Sequence, residues 1–203
     1  MSLAAFVIGS CAFAAITGSL HDFSRSSGWN PSGEICIVCH TPHNATSALA
    51  PLWNHDLSTA SYTVYTSPTL NATVGQPGGN SKACLSCHDG TVGVNAFGGG
   101  TGSKILMPGF SSLGTDLSND HPISFTYDGA LATTDGGLND PTVKTVTSLG
   151  GKTIDAGMLV SHKLECGSCH DVHNNKGDAP TTADHLLIVN NTKSALCLTC
   201  HKK

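Results

Sequence analysis

Leu164–Asn174 reads LECGSCHDVHN, and an echo of it, EICIVCHTPHN, occupies Glu34–Asn44. Each stretch sets two cysteines three positions apart, a histidine directly after the second, and another histidine three residues later. Simpler copies follow each of them, SKACLSCHDG at Ser81–Gly90 and KSALCLTCHKK at Lys193–Lys203. The shared element is Cys-x-x-Cys-His, at Cys36/Cys39/His40, Cys84/Cys87/His88, Cys166/Cys169/His170 and Cys197/Cys200/His201. These four copies use eight of the chain's nine cysteines and leave out only Cys11.

The spacing has a chemical reading. Two thiols three positions apart can each form a thioether to one edge of the same porphyrin, while the adjacent imidazole reaches the iron as proximal ligand. Four copies predict four covalently attached c-type haems. Two structural zinc sites of four cysteines each would also use Cys-x-x-Cys pairs. Thioredoxin-like redox pairs or structural disulfides would do so as well. Each of these leaves a histidine surplus four times over, and the redox reading lacks a βαβ context.

Composition points the same way. Aromatic residues are 5% of the 203-residue chain, charged residues 12%, and 23 glycines fill much of the rest. A core built from side chains alone would be thin. Four flat apolar macrocycles would supply the missing interior, so the expected fold is a multihaem cytochrome c: mostly loops and turns, short helices and few strands, wrapped around a stacked four-haem core. The net charge of −4 with only 10 Lys and Arg argues against nucleic-acid binding, which needs a basic surface. No segment after residue 20 is apolar enough to span a bilayer.

The first residues differ. MSLAAFVIGSCAFAA, Met1–Ala15, reads as the apolar region and Ala-x-Ala site of a secretory signal, although it lacks a positive n-region. Removal of 1–14 leaves only motif cysteines, and 15–203 then forms a single tetrahaem domain. A lipoprotein reading with Cys11 acylated and a retained N-terminal helix are the alternatives. Export predicts an extracellular or outer-surface location, with the periplasm as alternative.

Seven of the 11 histidines lie outside the motifs: His21, His43, His55, His121, His162, His173 and His185. Four would complete bis-histidine coordination. Met107 and Met158 offer a minority histidine/methionine option. His43 and His173 sit too close to their own proximal histidines to reach the opposite face of the same haem, and are placed to ligate a neighbouring one. His55 and His121 lie in turn-rich connections, as loop-borne ligands do. His21 stands on a terminal segment that either has no role or delivers a ligand to a distant haem. His162 and His185 have the weakest context.

The motifs form two pairs, an internal duplication of a two-haem unit, with units at 21–90 and 161–203 and a turn-rich connection at 91–160. Short helices are expected at SKACLSCHD and TKSALCLTCH, with Ser81 and Thr192 as caps. SYTVYTS at Ser61–Ser67 reads as a strand, and PTVKTVTSLGGKTID at Pro141–Asp155 as a strand and turn.

Through HDFS, CIVCHTPHNA, PLWNHD, CLSCHDGTVG, LSNDHPISF and LECGSCHDVHN, the chain resembles the secreted multihaem cytochromes described by a doubled CxxCH motif. Among them it is most similar to the tetrahaem cytochromes of metal-reducing bacteria that polymerise into electron-conducting filaments. The resemblance runs from Leu20 to His201. It implies haems in closely spaced, alternately parallel and perpendicular pairs, with every iron bis-histidine. It implies copies of the chain as head-to-tail partners, with His21 as a ligand to a haem of the neighbour, His55 and His121 as loop-borne ligands, and His43 and His173 as the paired-haem ones.

The expected function is long-range electron transfer, not catalysis, with other redox cytochromes or extracellular acceptors as further partners. A soluble or complex-bound periplasmic carrier is the alternative. A multihaem reductase would need one iron left with an open position, which the surplus of histidines disfavours.

Overall fold

The computed structural model describes residues 16–26, 28–45, 49, 51–100, 104–107, 109–173 and 186–202. The expected signal segment 1–14 and His185 lie outside them. Four short helices are present: α1 (Gly79–His88), α2 (Gly129–Asp135), α3 (Ile154–Gly157) and α4 (Ala195–Cys200). Six two-residue strands pair into three small sheets. β1 (Thr63–Val64) runs parallel to β2 (Asp116–Leu117), while β3 (Phe125–Thr126) is antiparallel to β6 (Lys163–Leu164) and β4 (Thr145–Val146) to β5 (Lys152–Thr153). The result is a loop-rich, mixed domain of short helices and small sheets.

The apolar core lies where the sequence suggested only a connection. Phe125, Tyr127, Ala132, Val146, Ile154 and Met158 pack with Leu164, Ile188 and Val189. Most of these come from 91–160, so that region is a packed unit and not merely a spacer. Local chemistry explains its elements. The Asp128 carboxylate accepts from Leu131 N at 2.8 Å and caps α2. Gly136, at φ 71°, ends that helix in the left-handed conformation that a residue without Cβ adopts freely. The Thr153 hydroxyl accepts from Ala156 N and starts α3. Burial of Met158 at 3% exposure places it in this core.

Two expected caps are corrected. α1 begins after Gly78, and Ser81 lies inside it with its hydroxyl donating to buried Glu165. The Thr192 hydroxyl donates to Asn190 Oδ1, and α4 starts after Ser194 with no side-chain cap. Both helices form as expected, as do the strand within 61–67 and the strand and turn within 141–155, where a second, unexpected strand follows the turn.

A buried polar cluster joins α1 to the third motif. Glu165, 3% exposed, accepts from Ser81 and, at 2.7 Å, from Ser124; Ser81 Oγ in turn accepts from Cys166 N at 2.9 Å. A second cluster anchors the end of α1, where Asp89 accepts from Ser58, from Tyr62 at 2.6 Å and from Thr91. Burial raises the Asp89 pKa, but these donors outweigh it and hold the carboxyl below its usual range.

Candidate functional site

Each Cys-x-x-Cys-His is one turn of helix. The histidine N–H donates to the first cysteine's carbonyl in three copies, at 2.8 Å for His40, 3.0 Å for His170 and 2.9 Å for His201, and His88 closes α1. That turn brings the two cysteines and the histidine round one side of the backbone. Immediately afterwards three copies enter the same antiparallel bridge, His40 opposite Trp53, His170 opposite Leu187 and His201 opposite Leu138. The bonding repeats as well: Asn54 N donates to Cys39 O, Ile188 N to Cys169 O and Asn139 N to Cys200 O, at 2.9, 2.9 and 2.7 Å. The internal repeat in the sequence is thus a repeat of backbone geometry.

Three motif histidines face a histidine from outside the motifs. His40 and His173 have ring centres 6.1 Å apart and nearly parallel planes, at 19°. His88 faces His21 at 6.0 Å and 47°, and His201 faces His121 at 6.4 Å and 77°. The fourth motif histidine, His170, is exposed and interacts electrostatically with His21. A first-row metal holds an imidazole nitrogen at about 2.0–2.1 Å, and a five-membered ring with bonds of about 1.33 Å has its centre about 1.1 Å beyond that nitrogen. Two rings ligating one ion from opposite sides therefore stand about 6.3 Å apart, centre to centre. Direct aromatic packing spans similar distances; these pairs are distinguished by joining motif histidines to the expected second ligands.

Ring orientation is fixed from behind. Nδ1 lies 2.8 Å from Pro51 O in His40, 2.7 Å from Ser111 O in His88 and 2.9 Å from Pro122 O in His121. Donation from Nδ1–H to a carbonyl leaves the Nε2 lone pair for a metal, the usual arrangement around ligating histidine. His21 is different. Its Nδ1 is buried without a hydrogen-bond partner, and burial, then the nearby His88 and His170, push its pKa down to about 4. A neutral imidazole with an unsatisfied nitrogen is what a metal ligand looks like before the metal is counted.

The remaining expected ligands are placed otherwise. His43 is exposed and, with His55, lines a cavity of about 540 Å³ beside Ile37 of the first motif. His55, 2% exposed, has Nδ1 2.8 Å from Asp56 O and Nε2 3.0 Å from Gly93 O, with Cys87 Sγ at 3.5 Å. His162 is exposed and bonds Asp155 at 2.8 Å.

The second cysteine of every motif sits where a thiolate is disfavoured. Burial, with neighbouring thiols adding to it, pushes Cys39 and Cys169 up to about 11 and Cys87 and Cys200 up to about 12. Among the first cysteines, Cys166 is shifted the other way, its pKa lowered first by a hydrogen bond from Cys84. Among the described residues no three His, Cys, Asp or Glu side chains gather as a metal cage. The donor set is one of facing pairs.

The residues fit a haem iron with two axial imidazoles, on the ring separations, the Nδ1 carbonyl contacts and the orphaned His21 nitrogen. Trp53 is the neighbour that sequence reading passed over: it stands between His40 and His55, and its signal lay in PLWNHD, where a tryptophan sits two residues from a lone histidine. No family model matches the chain, and no curated protein matches it.

Proposed function

We propose that the chain is a tetrahaem c-type cytochrome that transfers electrons through low-spin, bis-histidine irons. The pairing of His40 with His173, His88 with His21 and His201 with His121 carries this reading. Haem bound at these sites supplies one-electron chemistry at iron without an open position for substrate. The cysteine pairs Cys36/Cys39, Cys84/Cys87, Cys166/Cys169 and Cys197/Cys200 would tether it, and His40, His88, His170 and His201 would be the proximal ligands. By the internal repeat, His173 serving the first motif implies the reciprocal service of His43 to the third, leaving His55 as a supporting residue beside Cys87.

The chain's own groups do the positioning. Backbone carbonyls of Pro51, Ser111 and Pro122 hold the imidazoles of His40, His88 and His121 at Nδ1. The Glu165–Ser81–Ser124 cluster fixes the second motif against the third, so that neighbouring cofactors keep a constant separation.

Filament formation is the second part of the proposal, resting on the resemblance. The segment 16–26 places His21 over His88 of its own chain. Service to a neighbour would be an arm exchange, the same contact made between subunits. Among the described residues no helix is long and apolar enough to cross a membrane. His21→Ala tests both parts. Loss of filaments with three low-spin irons per free subunit supports exchange; intact filaments with every iron low-spin would remove His21 from both roles. Small uniform particles from the unaltered protein, seen by negative-stain microscopy, favour a soluble carrier.

A further inference from the structure

The three facing pairs differ in the angle between their rings, and the angle has an electronic consequence if each pair shares one iron. The filled π orbital of an imidazole stands perpendicular to its ring. Two parallel rings donate into the same iron dπ orbital and split it from its partner; two crossed rings raise both orbitals alike. Parallel ligation therefore gives a ferric signal with three well-separated g values and stabilises the ferric state. Crossed ligation gives one dominant large-g feature and a higher reduction potential.

His40 and His173 are near parallel at 19°, and His201 and His121 are near perpendicular at 77°. What holds His40 at its angle is visible. Pro51 O lies 2.8 Å behind its Nδ1. The indole of Trp53 meets its ring edge to face, at 6.0 Å and 86°, and the two residues oppose each other in a backbone bridge. Trp53 is supported on its other side by His55, at 6.5 Å. Its indole nitrogen is buried with no hydrogen-bond partner. The indole is held by its ring contacts with the two imidazoles.

We propose that Trp53 is a positioning residue that holds the His40 ring near parallel to that of His173, so that an iron shared by them would be the near-parallel, lower-potential member of a set in which an iron shared by His201 and His121 is the crossed, higher-potential one. The inference rests on the tetrahaem reading and adds to it an order of potentials built into the protein scaffold.

Electron paramagnetic resonance of the oxidised holoprotein, followed during a redox titration, tests it. Haem content is measured first, by mass of the denatured chain; absence of haem would defeat the tetrahaem reading itself, a failure distinct from those that follow. With four haems present, the expected spectrum contains both a rhombic set and a separate large-g signal. His121→Ala should remove the large-g signal and leave the rhombic set. The rhombic set should be reduced at the lower potential. Trp53→Leu should shift the g values of the rhombic set alone, and Trp53→Phe, which keeps an aromatic edge, should restore them. A single uniform low-spin signal, the reverse order of reduction, or g values unmoved in Trp53→Leu would overturn the proposal. Should Trp53→Leu lose haem, the order of reduction in the unaltered protein still decides it.

Discussion

At the scale of single residues, the proposed pairing of imidazoles would set the chemistry, and each member has a distinct expected effect. Replacing His173 with alanine should convert one iron of four from low to high spin, visible as a new charge-transfer band in the oxidised protein, with the haem count unchanged; an all-low-spin spectrum would remove His173 from the ligand set. Ser81 is the counterpart among supporting residues. Its hydroxyl is donor to Glu165 and acceptor for Cys166 N in a buried site, so Ser81→Ala removes the acceptor for Cys166 N and one donor to Glu165, which keeps Ser124, and should cost about 1–3 kcal/mol in urea denaturation. The four Cys-x-x-Cys-His motifs stand out in the sequence because covalent haem attachment would demand their fixed spacing. Among the candidate second ligands, the count and context of histidines pointed to His21, His43, His55, His121 and His173, but which motif histidine each of them faces depends on long-range folding. Trp53 was not legible as a positioning residue, since a lone aromatic reads first as packing.

At the scale of elements, a tight turn followed by a one-residue bridge is the repeated unit at His40, His170 and His201, and it explains how so little regular structure can present three of the four motif histidines, His88 being presented by the end of α1. The helices at the second and fourth motifs were readable from their polar starts and cysteine spacing. Their caps were misread because the competing partners are remote or unexpected: the Ser81 hydroxyl is taken by a carboxylate 84 residues away, and that of Thr192 by its near neighbour Asn190. Where the cap is local, its effect is calculable. Asp128→Ala removes the acceptor for Leu131 N at the start of α2 and should lower stability by about 0.5–2 kcal/mol, measured by thermal melting. Gly136→Ala forces a side chain into φ 71° at the other end and should cost about 1–2 kcal/mol. Equal stability of either variant to the parent would mean that α2 is held by its packing alone.

At the scale of the whole molecule, the expectation of a thin side-chain interior needs a revision of place. The cluster around Tyr127, Ile154 and Ile188 is a genuine apolar core, drawn mainly from the region between the two motif pairs. No motif marked it in the sequence; its residues are scattered through turn-rich stretches and come together from β3, α2, β4, α3, β6 and the 188–189 segment. Ile154 is fully buried, and Ile154→Ala should cost about 2–5 kcal/mol, with the slowest-exchanging amides of the native protein found in 125–164. Of the motif histidines, His170 and His201 are exposed, while His40 and His88 are half-buried. The central claim is that porphyrin is bound covalently at all four cysteine pairs. Mass spectrometry of the denatured, reduced chain, with peptide mapping, tests it most directly: four haem masses, one on each of the peptides containing Cys36/Cys39, Cys84/Cys87, Cys166/Cys169 and Cys197/Cys200, is the result expected, and free thiols at those pairs with no added mass would contradict it.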